Sequence, residues 1–195
     1  MKTILILLAT TFTITSKAQL TKRNWLLGGS ASLYSYTEKF TNLDPNINYT
    51  AKYTDIDLNT SIGYFFIDKF AAGLRPILYT YKGESNGGLT ANTLQFALGP
   101  FVRYYFLDKE KQFNILSDIC YQIGVNKNFS EKGKFDFFSV MAGTEVFFNS
   151  SVGLQIMLGY SQRLSTTNIN SLGEFKNLKN GFQTSIGFNF HLEKD

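Results

Sequence analysis

The sequence of 195 residues has little of what several protein classes require. It has one cysteine, three prolines, one tryptophan and one histidine, and only 17% of its residues are charged. One cysteine cannot build a disulfide framework or a cysteine-rich zinc module. No apolar run reaches the ~18–20 residues that a membrane-spanning helix needs. A hydrophobic fraction of 44% excludes a disordered chain, and a net charge of +4 is too small and too scattered to indicate nucleic-acid binding.

Aromatic residues are what the sequence has in abundance. It contains 19 phenylalanines and 11 tyrosines, a balance that is typical of β-rich proteins. The length favours one domain, and the apolar fraction is large enough to build a sizeable core.

Residues 1–18 have the pattern of a signal peptide. Lys2 gives a basic start, Ile4–Ile14 is apolar, and Ser16 and Ala18 place small residues before a cleavage site at Gln19. The alternative is a buried N-terminal strand or helix. We therefore expect residues 1–18 to be removed and 19–195 to form a single exported domain, which does not have nucleic acid as a partner.

Aromatic residues recur at intervals of about forty residues, and most of them are followed by a short turn. The other connections are rich in Asn, Gly, Ser and Lys, and we predict long loops at 37–51, 82–92, 126–136 and 165–180. Eight strands of roughly 12–14 residues fill the remaining chain. The aromatic residues that mark the short-turn end of these strands are Trp25, Phe66, Phe106, Phe148 and Phe190.

Apolar and polar residues alternate along each predicted strand. In the fourth strand Leu94, Phe96 and Leu98 share one face, while Thr93 and Gln95 share the other. Such alternation over ten or more residues is long for a globular strand, which usually has about 5–6 residues. It suits a tilted strand that crosses a membrane, which needs about 9–11 residues.

Lysine placement predicts which face points outward. A soluble barrel with an apolar lumen, the lipocalin arrangement, would carry lysine on its outer strand faces. Here every lysine after residue 18 lies in a predicted loop, turn, strand end or terminus. A lysine at the bilayer midplane costs roughly 2–4 kcal/mol, so this placement indicates an apolar face in lipid. The polar face, where small residues help to fill a narrow lumen, carries Gly28, Gly63, Gly73, Gly99, Gly124, Gly143, Gly159 and Gly187.

With these features the chain resembles the small outer-membrane β-barrels of Gram-negative bacteria, of the OmpA-barrel and OmpX type. The resemblance covers 19–195 and implies an all-β, eight-stranded antiparallel up-and-down transmembrane β-barrel in the cell outer membrane. It implies lipid, lipopolysaccharide and the outer-membrane assembly machinery as partners, and makes the five turn-end aromatic residues a periplasmic girdle. Barrels of this family usually end on an aromatic residue, whereas Glu193-Lys194-Asp195 follow Leu192 here.

Charged residues on the polar face are the clearest candidate site. We expect them to form an internal ion-pair network that plugs the lumen, because an arginine fork can satisfy a buried carboxylate. A gated or selective pore that uses the same charges is the alternative. Pro76 and Pro100 remove ladder hydrogen bonds, and we expect each to mark a bulge. The predicted network residues are Asp55, Asp57, Arg75, Arg103, Asp118, Glu145 and Arg163.

No catalytic motif, metal site or cofactor site is predicted. A lipid-A-modifying enzyme would need a histidine near the outer rim, but the one histidine, His191, lies at the periplasmic end of the last strand. The sequence therefore favours a structural or surface-interaction role, such as adhesion or membrane integrity. Its surface ligand would contact loops 37–51 and 165–180, and a narrow channel for small solutes is the main alternative.

Overall fold

The period-2 alternation of apolar and polar residues places one face of every strand inside a barrel and the other outside. The computed structural model describes residues 20–40, 49–85, 88–128, 131–169 and 173–193, so the predicted signal peptide at 1–18 lies outside the described residues. The described ranges form eight strands in chain order: β1 (Trp25–Phe40), β2 (Tyr49–Ile67), β3 (Phe70–Ser85), β4 (Gly88–Tyr105), β5 (Phe113–Asn128), β6 (Glu131–Phe147), β7 (Val152–Ile169) and β8 (Gly173–Leu192).

Each strand pairs antiparallel with its neighbours in the sequence, and β1 pairs with β8 to close the barrel. This up-and-down connectivity confirms the predicted fold class. Among the described residues there is no helix that is long and apolar enough to cross a membrane.

The strands are longer than predicted, so most of the four predicted long loops are wrong. Residues 82–85, 88–92, 126–128 and 131–136 belong to strands, and so do the described residues of 37–51 and 165–180, which are 37–40, 49–51, 165–169 and 173–180. These segments are polar, and in the sequence their polarity was interpreted as a sign of loops. Backbone hydrogen bonds between antiparallel neighbours require no apolar face, so the hairpins continue beyond the apolar part of the barrel.

The predicted bulges at Pro76 and Pro100 are also wrong. Pro100 faces Leu74 and Pro76 faces Leu98, and the β3–β4 register shifts only farther along, between Gly83 and Glu84. The β2–β3 register shifts near Phe65 instead, close to the turn. Each proline therefore removes a hydrogen bond without adding a residue to the ladder.

The three described connections between consecutive strands, at 68–69, 106–112 and 148–151, lie together at one end of the barrel, which we call the turn end. Leu20 and the inward-facing side chains near this end form a buried core that fills the lumen. Phe65, Phe101, Leu116 and Phe147 point inward and are buried, as the period-2 alternation of their strands requires. Cys120 is also buried in this core and is unpaired.

The outer surface of the barrel is apolar. Large hydrophobic side chains are exposed on all eight strands, far beyond the apolar patch of an ordinary soluble domain. One example from each strand, in chain order, is Leu33, Ile62, Leu74, Phe96, Ile123, Val140, Leu158 and Ile186. Beyond this apolar surface, towards the end opposite the turns, lie exposed lysines such as Lys127 and Lys134.

Close approach between strands requires glycine at several inward positions, and Gly99 is the clearest case. A Cβ atom at Gly99 would collide with backbone atoms of Tyr121 and Gln122 on β5, which no side-chain rotation can relieve. Gly181 on β8 has no atom within 4 Å of the same position.

We predict that Gly99→Ala lowers the free energy of unfolding by about 1–3 kcal/mol, because β5 must move away from β4. Gly181→Ala is the matched control and should be neutral or slightly stabilising. Urea unfolding of both refolded variants measures the difference. Equal midpoints for the two variants would contradict the close packing of β4 on β5.

Candidate functional site in the barrel lumen

Asp118 on β5 is the centre of the first buried polar cluster. It accepts two hydrogen bonds from Arg75, with Nη1 at 2.8 Å and Nη2 at 2.9 Å, and a third from Arg103 Nε at 3.0 Å. Arg103 lies directly opposite Asp118 in the β4–β5 register. Both Arg103 and Asp118 are almost fully buried, with 2% and 1% of their surface exposed. This cluster, the Asp118 cluster, joins three neighbouring strands.

The Asp118 cluster is supported by an aromatic ring and an amide. The Arg75 guanidinium lies 4.6 Å from the ring centre of Phe101, and that of Arg103 lies 5.9 Å away, so the ring faces two cations. Gln122 Nε2 donates to the backbone carbonyl of Arg75 at 2.7 Å. The ring therefore contacts the arginine side chains, and the amide contacts the β3 backbone at Arg75.

Glu145 on β6 is the centre of a second cluster, nearer the turn end. Its Oε2 accepts hydrogen bonds from Tyr105 Oη and Asn189 Nδ2, both at 2.8 Å, and His191 Nε2 lies 2.8 Å from its Oε1. Glu145 and His191 are fully buried. Asn189 also donates to Gln155 Oε1 at 3.0 Å. These five residues, the Glu145 cluster, join strands on opposite sides of the lumen.

Gly153 on β7 explains how Glu145 reaches β8. A Cβ atom at Gly153 would collide with Oε1 of Glu145. Asn189 on β8 lies directly opposite Gly153 in the register. The missing side chain therefore leaves the space through which the carboxylate contacts Asn189 and His191.

Residues 20–24 cover the lumen at the turn end. The Leu20 carbonyl accepts from the Lys69 amide at 2.9 Å, and the Arg23 amide donates to the Phe65 carbonyl at 2.8 Å. The Leu20 side chain is fully buried in the lumen core. The segment that precedes β1 is thus a plug tied to the end of β2 and the β2–β3 turn.

The turns add ionic contacts outside the barrel wall. The Lys22 amide donates to Asp68 Oδ1 at 2.8 Å, and Lys109 lies 3.6 Å from the other oxygen. The hydrogen bond from the Lys22 amide holds the pKa of Asp68 below its ordinary value, and the Lys109 ammonium contributes a smaller effect in the same direction. Lys69 pairs with Asp108 at 3.0 Å and lowers the pKa of that carboxyl group in the same way. Both carboxylates are exposed, so these contacts orient the turns more than they stabilise the fold.

The lumen is open in its other half. A cavity of about 750 Å³, the outer cavity, is lined by side chains from both sides of the barrel, including Asp57, Tyr79, Arg163 and Lys179. A smaller cavity of about 70 Å³ lies beside the Asp118 cluster. The lumen therefore changes from a filled core at the turn end to a wide vestibule at the opposite end.

Arg163 on β7 projects into the outer cavity. Its guanidinium lies 3.7 Å from the ring centre of Phe135, and its Nη2 donates to Gln95 Oε1 at 2.8 Å. In the described part of the chain no ion pair joins Arg163 to an acidic side chain.

The structure divides the predicted ion network instead of joining it. Arg75, Arg103 and Asp118 lie together, whereas Glu145 belongs to a cluster with uncharged partners and His191. Asp55 and Asp57 form no ion pair within the described ranges, and Asp55 Oδ1 is buried without a hydrogen-bond partner. The predicted single network is therefore wrong in its connectivity, although all seven residues lie on the inward face.

The predicted aromatic girdle lies on the outside at the turn end. All five side chains are exposed: Trp25, Phe66, Phe106, Phe148 and Phe190. Tyr64 links two of the five, because it makes edge contacts with Trp25 at 5.3 Å and with Phe66 at 5.3 Å.

Several lumen residues were missed by the sequence interpretation. Tyr105, Asn189 and Gln155 bind Glu145 or its partners, and Leu20 fills the turn end. The alternation of inward and outward residues could have shown that the first three face the lumen. Only the folded barrel shows that they meet at one carboxylate. Over the ranges that the structure describes, no group of three or more His, Cys, Asp or Glu side chains is placed to hold a metal ion.

We predict that Asp118→Asn lowers the free energy of unfolding by about 3–5 kcal/mol, because the buried Arg103 and the partly buried Arg75 lose their carboxylate. Asp108→Asn removes the same charge from an exposed pair and serves as the matched control. Urea unfolding of the refolded barrels compares them. If the two variants unfold at the same urea concentration, the Asp118 cluster is not a buried ionic contact.

The fold is similar to that of the outer membrane protein OprG from Pseudomonas aeruginosa. The two structures have a TM-score of 0.55 and 15% sequence identity over 91% of this chain and 100% of OprG. No protein-family model and no curated protein matches the sequence. At this identity the likeness shows a shared fold, and the assignment to the OmpA-barrel or OmpX type stays a prediction.

Proposed function

We propose that this chain is an integral outer-membrane β-barrel with a closed lumen and a structural or surface-interaction role. The exposed apolar surface on all eight strands supports placement in lipid, where such side chains are more stable than in water. The predicted export signal at 1–18 and the fold shared with OprG support the outer membrane. The girdle at the turn end then faces the periplasm.

The observation that carries this proposal is the filled lumen at the turn end. Leu20, Phe147 and the Glu145 cluster occupy the barrel interior there, and each of Leu20, Phe147, Glu145 and His191 is fully buried. An eight-stranded interior is just wide enough for side chains to fill. A barrel closed at one end acts at the opposite end, where its lumen is open.

The strands beyond the apolar surface are the proposed contact region. They contain the described parts of 37–51 and 165–180, where we place any extracellular ligand and contacts with lipopolysaccharide. Lys179 is exposed there, and an extended edge of β1 does not pair with β8. Such an edge can accept another strand, which supports an adhesive role.

A catalytic role has less support. His191 is the one histidine of the sequence, and its Nε2 is held on buried Glu145 at the closed end. A general base must reach its substrate, and this histidine is out of contact with solvent.

A narrow channel is the second candidate, and one observation favours it. The outer cavity of about 750 Å³ and the smaller one of about 70 Å³ together extend to the Asp118 cluster. Only the layer from this cluster to Leu20 separates them from the turn end. Displacement of the plug at 20–24 and rearrangement of that layer would open a path.

We predict that the refolded wild-type barrel shows no conductance steps in planar bilayers, because the Glu145 cluster and Leu20 close the lumen. Single-channel recording measures this, and faster migration of the folded barrel in unheated gels verifies that folded protein was added. Steady, reproducible steps would favour the channel and contradict the closed lumen.

A further inference from the structure

The wall of the barrel is open between β1 and β8 for part of its height. The two strands pair from Trp25↔Leu192 to Gly29↔Phe188 in the described chain. Both strands continue well past this point, β1 as far as Phe40. The most exposed large apolar side chains of the described residues, Leu33 at 71% and Phe182 at 87%, flank the gap, where each has a paired strand on one side only.

This gap, the β1–β8 seam, connects the outer cavity with the outer surface. Most residues that line the cavity point into the lumen, but Ala31, Thr184 and Ile186 also line it and belong to the outward face. A cavity inside a barrel contacts outward-facing residues only where the wall is interrupted.

An apolar groove continues from the seam along the outside of the barrel. It has a volume of about 310 Å³ and runs over the backbone of Gly28 and Gly29, where the outward-facing Gly29 has no side chain to fill it. It shares Ser30 and Ala31 with the outer cavity. Its apolar walls are formed by Leu27, Leu58, Phe188 and Phe190.

The cavity end of this path carries an unneutralised cation. Arg163 is half-buried and held by Phe135 and Gln95, and no carboxylate pairs with it among the described residues. Lys179 lies opposite Arg163 in the β7–β8 register and lines the same cavity. Asp57 is the acidic residue of the cavity lining, so cations outnumber anions there.

We propose that the outer cavity and the groove bind a single-chain amphiphile with an anionic headgroup, taken from the surrounding membrane. The headgroup carboxylate binds the Arg163 guanidinium, and the acyl chain leaves through the β1–β8 seam into the apolar groove. Arginine suits this role because its planar fork binds carboxylates and it is always charged. The open seam is tolerated in lipid because its unpaired backbone lines a cavity. This inference rests on the proposed membrane-spanning arrangement.

Calorimetric titration of the refolded barrel in neutral micelles with dodecanoate and with dodecanol tests the proposal. The two probes share the chain and differ in the charge, and the partition of each probe into micelles is measured without protein and subtracted. We expect wild-type protein to bind dodecanoate about tenfold more tightly than dodecanol, as a charge-assisted contact implies. In Arg163→Gln that preference should fall to near one. Lys134→Gln, which removes a cation from the outer surface, should keep it.

An unchanged preference for dodecanoate in Arg163→Gln would overturn the headgroup assignment, and so would an absence of saturable binding to the wild type. Butyrate bound as tightly as dodecanoate would overturn the path through the seam. Arg163→Lys keeps the charge, and it should keep part of the preference if the variants are folded. Because all titrations are made in micelles, a negative titration result can be told apart from a negative result in the bilayer recordings that test the proposed function.

Discussion

The contact of Asp118 with two arginines is the interaction on which the arrangement of the strands depends most. Three charges share the interior of a narrow barrel, and their mutual attraction roughly offsets the cost of taking them out of water. Their main effect is on specificity. A register slip of one residue in β3, β4 or β5 would turn a charged group to the apolar outer face. In the proposed bilayer an arginine there costs roughly 2–4 kcal/mol at the midplane. The cluster therefore fixes which face of three strands points inward, and the apolar exterior follows from the same alternation.

The lumen has a different character in each half, and the proposals follow from that difference. At the turn end the Glu145 cluster and Leu20 fill the lumen with buried side chains, which supports a closed path there. At the opposite end the strands continue past the apolar surface, and β1 and β8 separate. A closed base with an open, cationic vestibule suits binding at the cell surface or from the membrane better than passage of solutes.

Much of the fold could be predicted from the sequence because alternation and turn spacing are local signals. The strand number, the inward charges and the buried core residues such as Phe101 follow from period-2 patterns. The strand ends could not be predicted in this way, since polar hairpin strands look like loops when only apolar residues are counted. The pairing of charges could not be predicted either. Asp118 meets Arg103 because of the β4–β5 register, and Glu145 reaches His191 because Gly153 leaves a gap, both of which are properties of the assembled barrel.

Fluorescence quenching by brominated lipids tests the central claim that the apolar face lies in lipid. Trp25→Phe removes the one native tryptophan, and Ile123→Trp and Lys127→Trp then place a single tryptophan on the outer face of β5. Ile123 is 62% exposed within the apolar surface, whereas Lys127 lies beyond it. The account predicts strong quenching at position 123 and weak quenching at 127. Weak quenching at both positions, with water-exposed emission at 123, would contradict it.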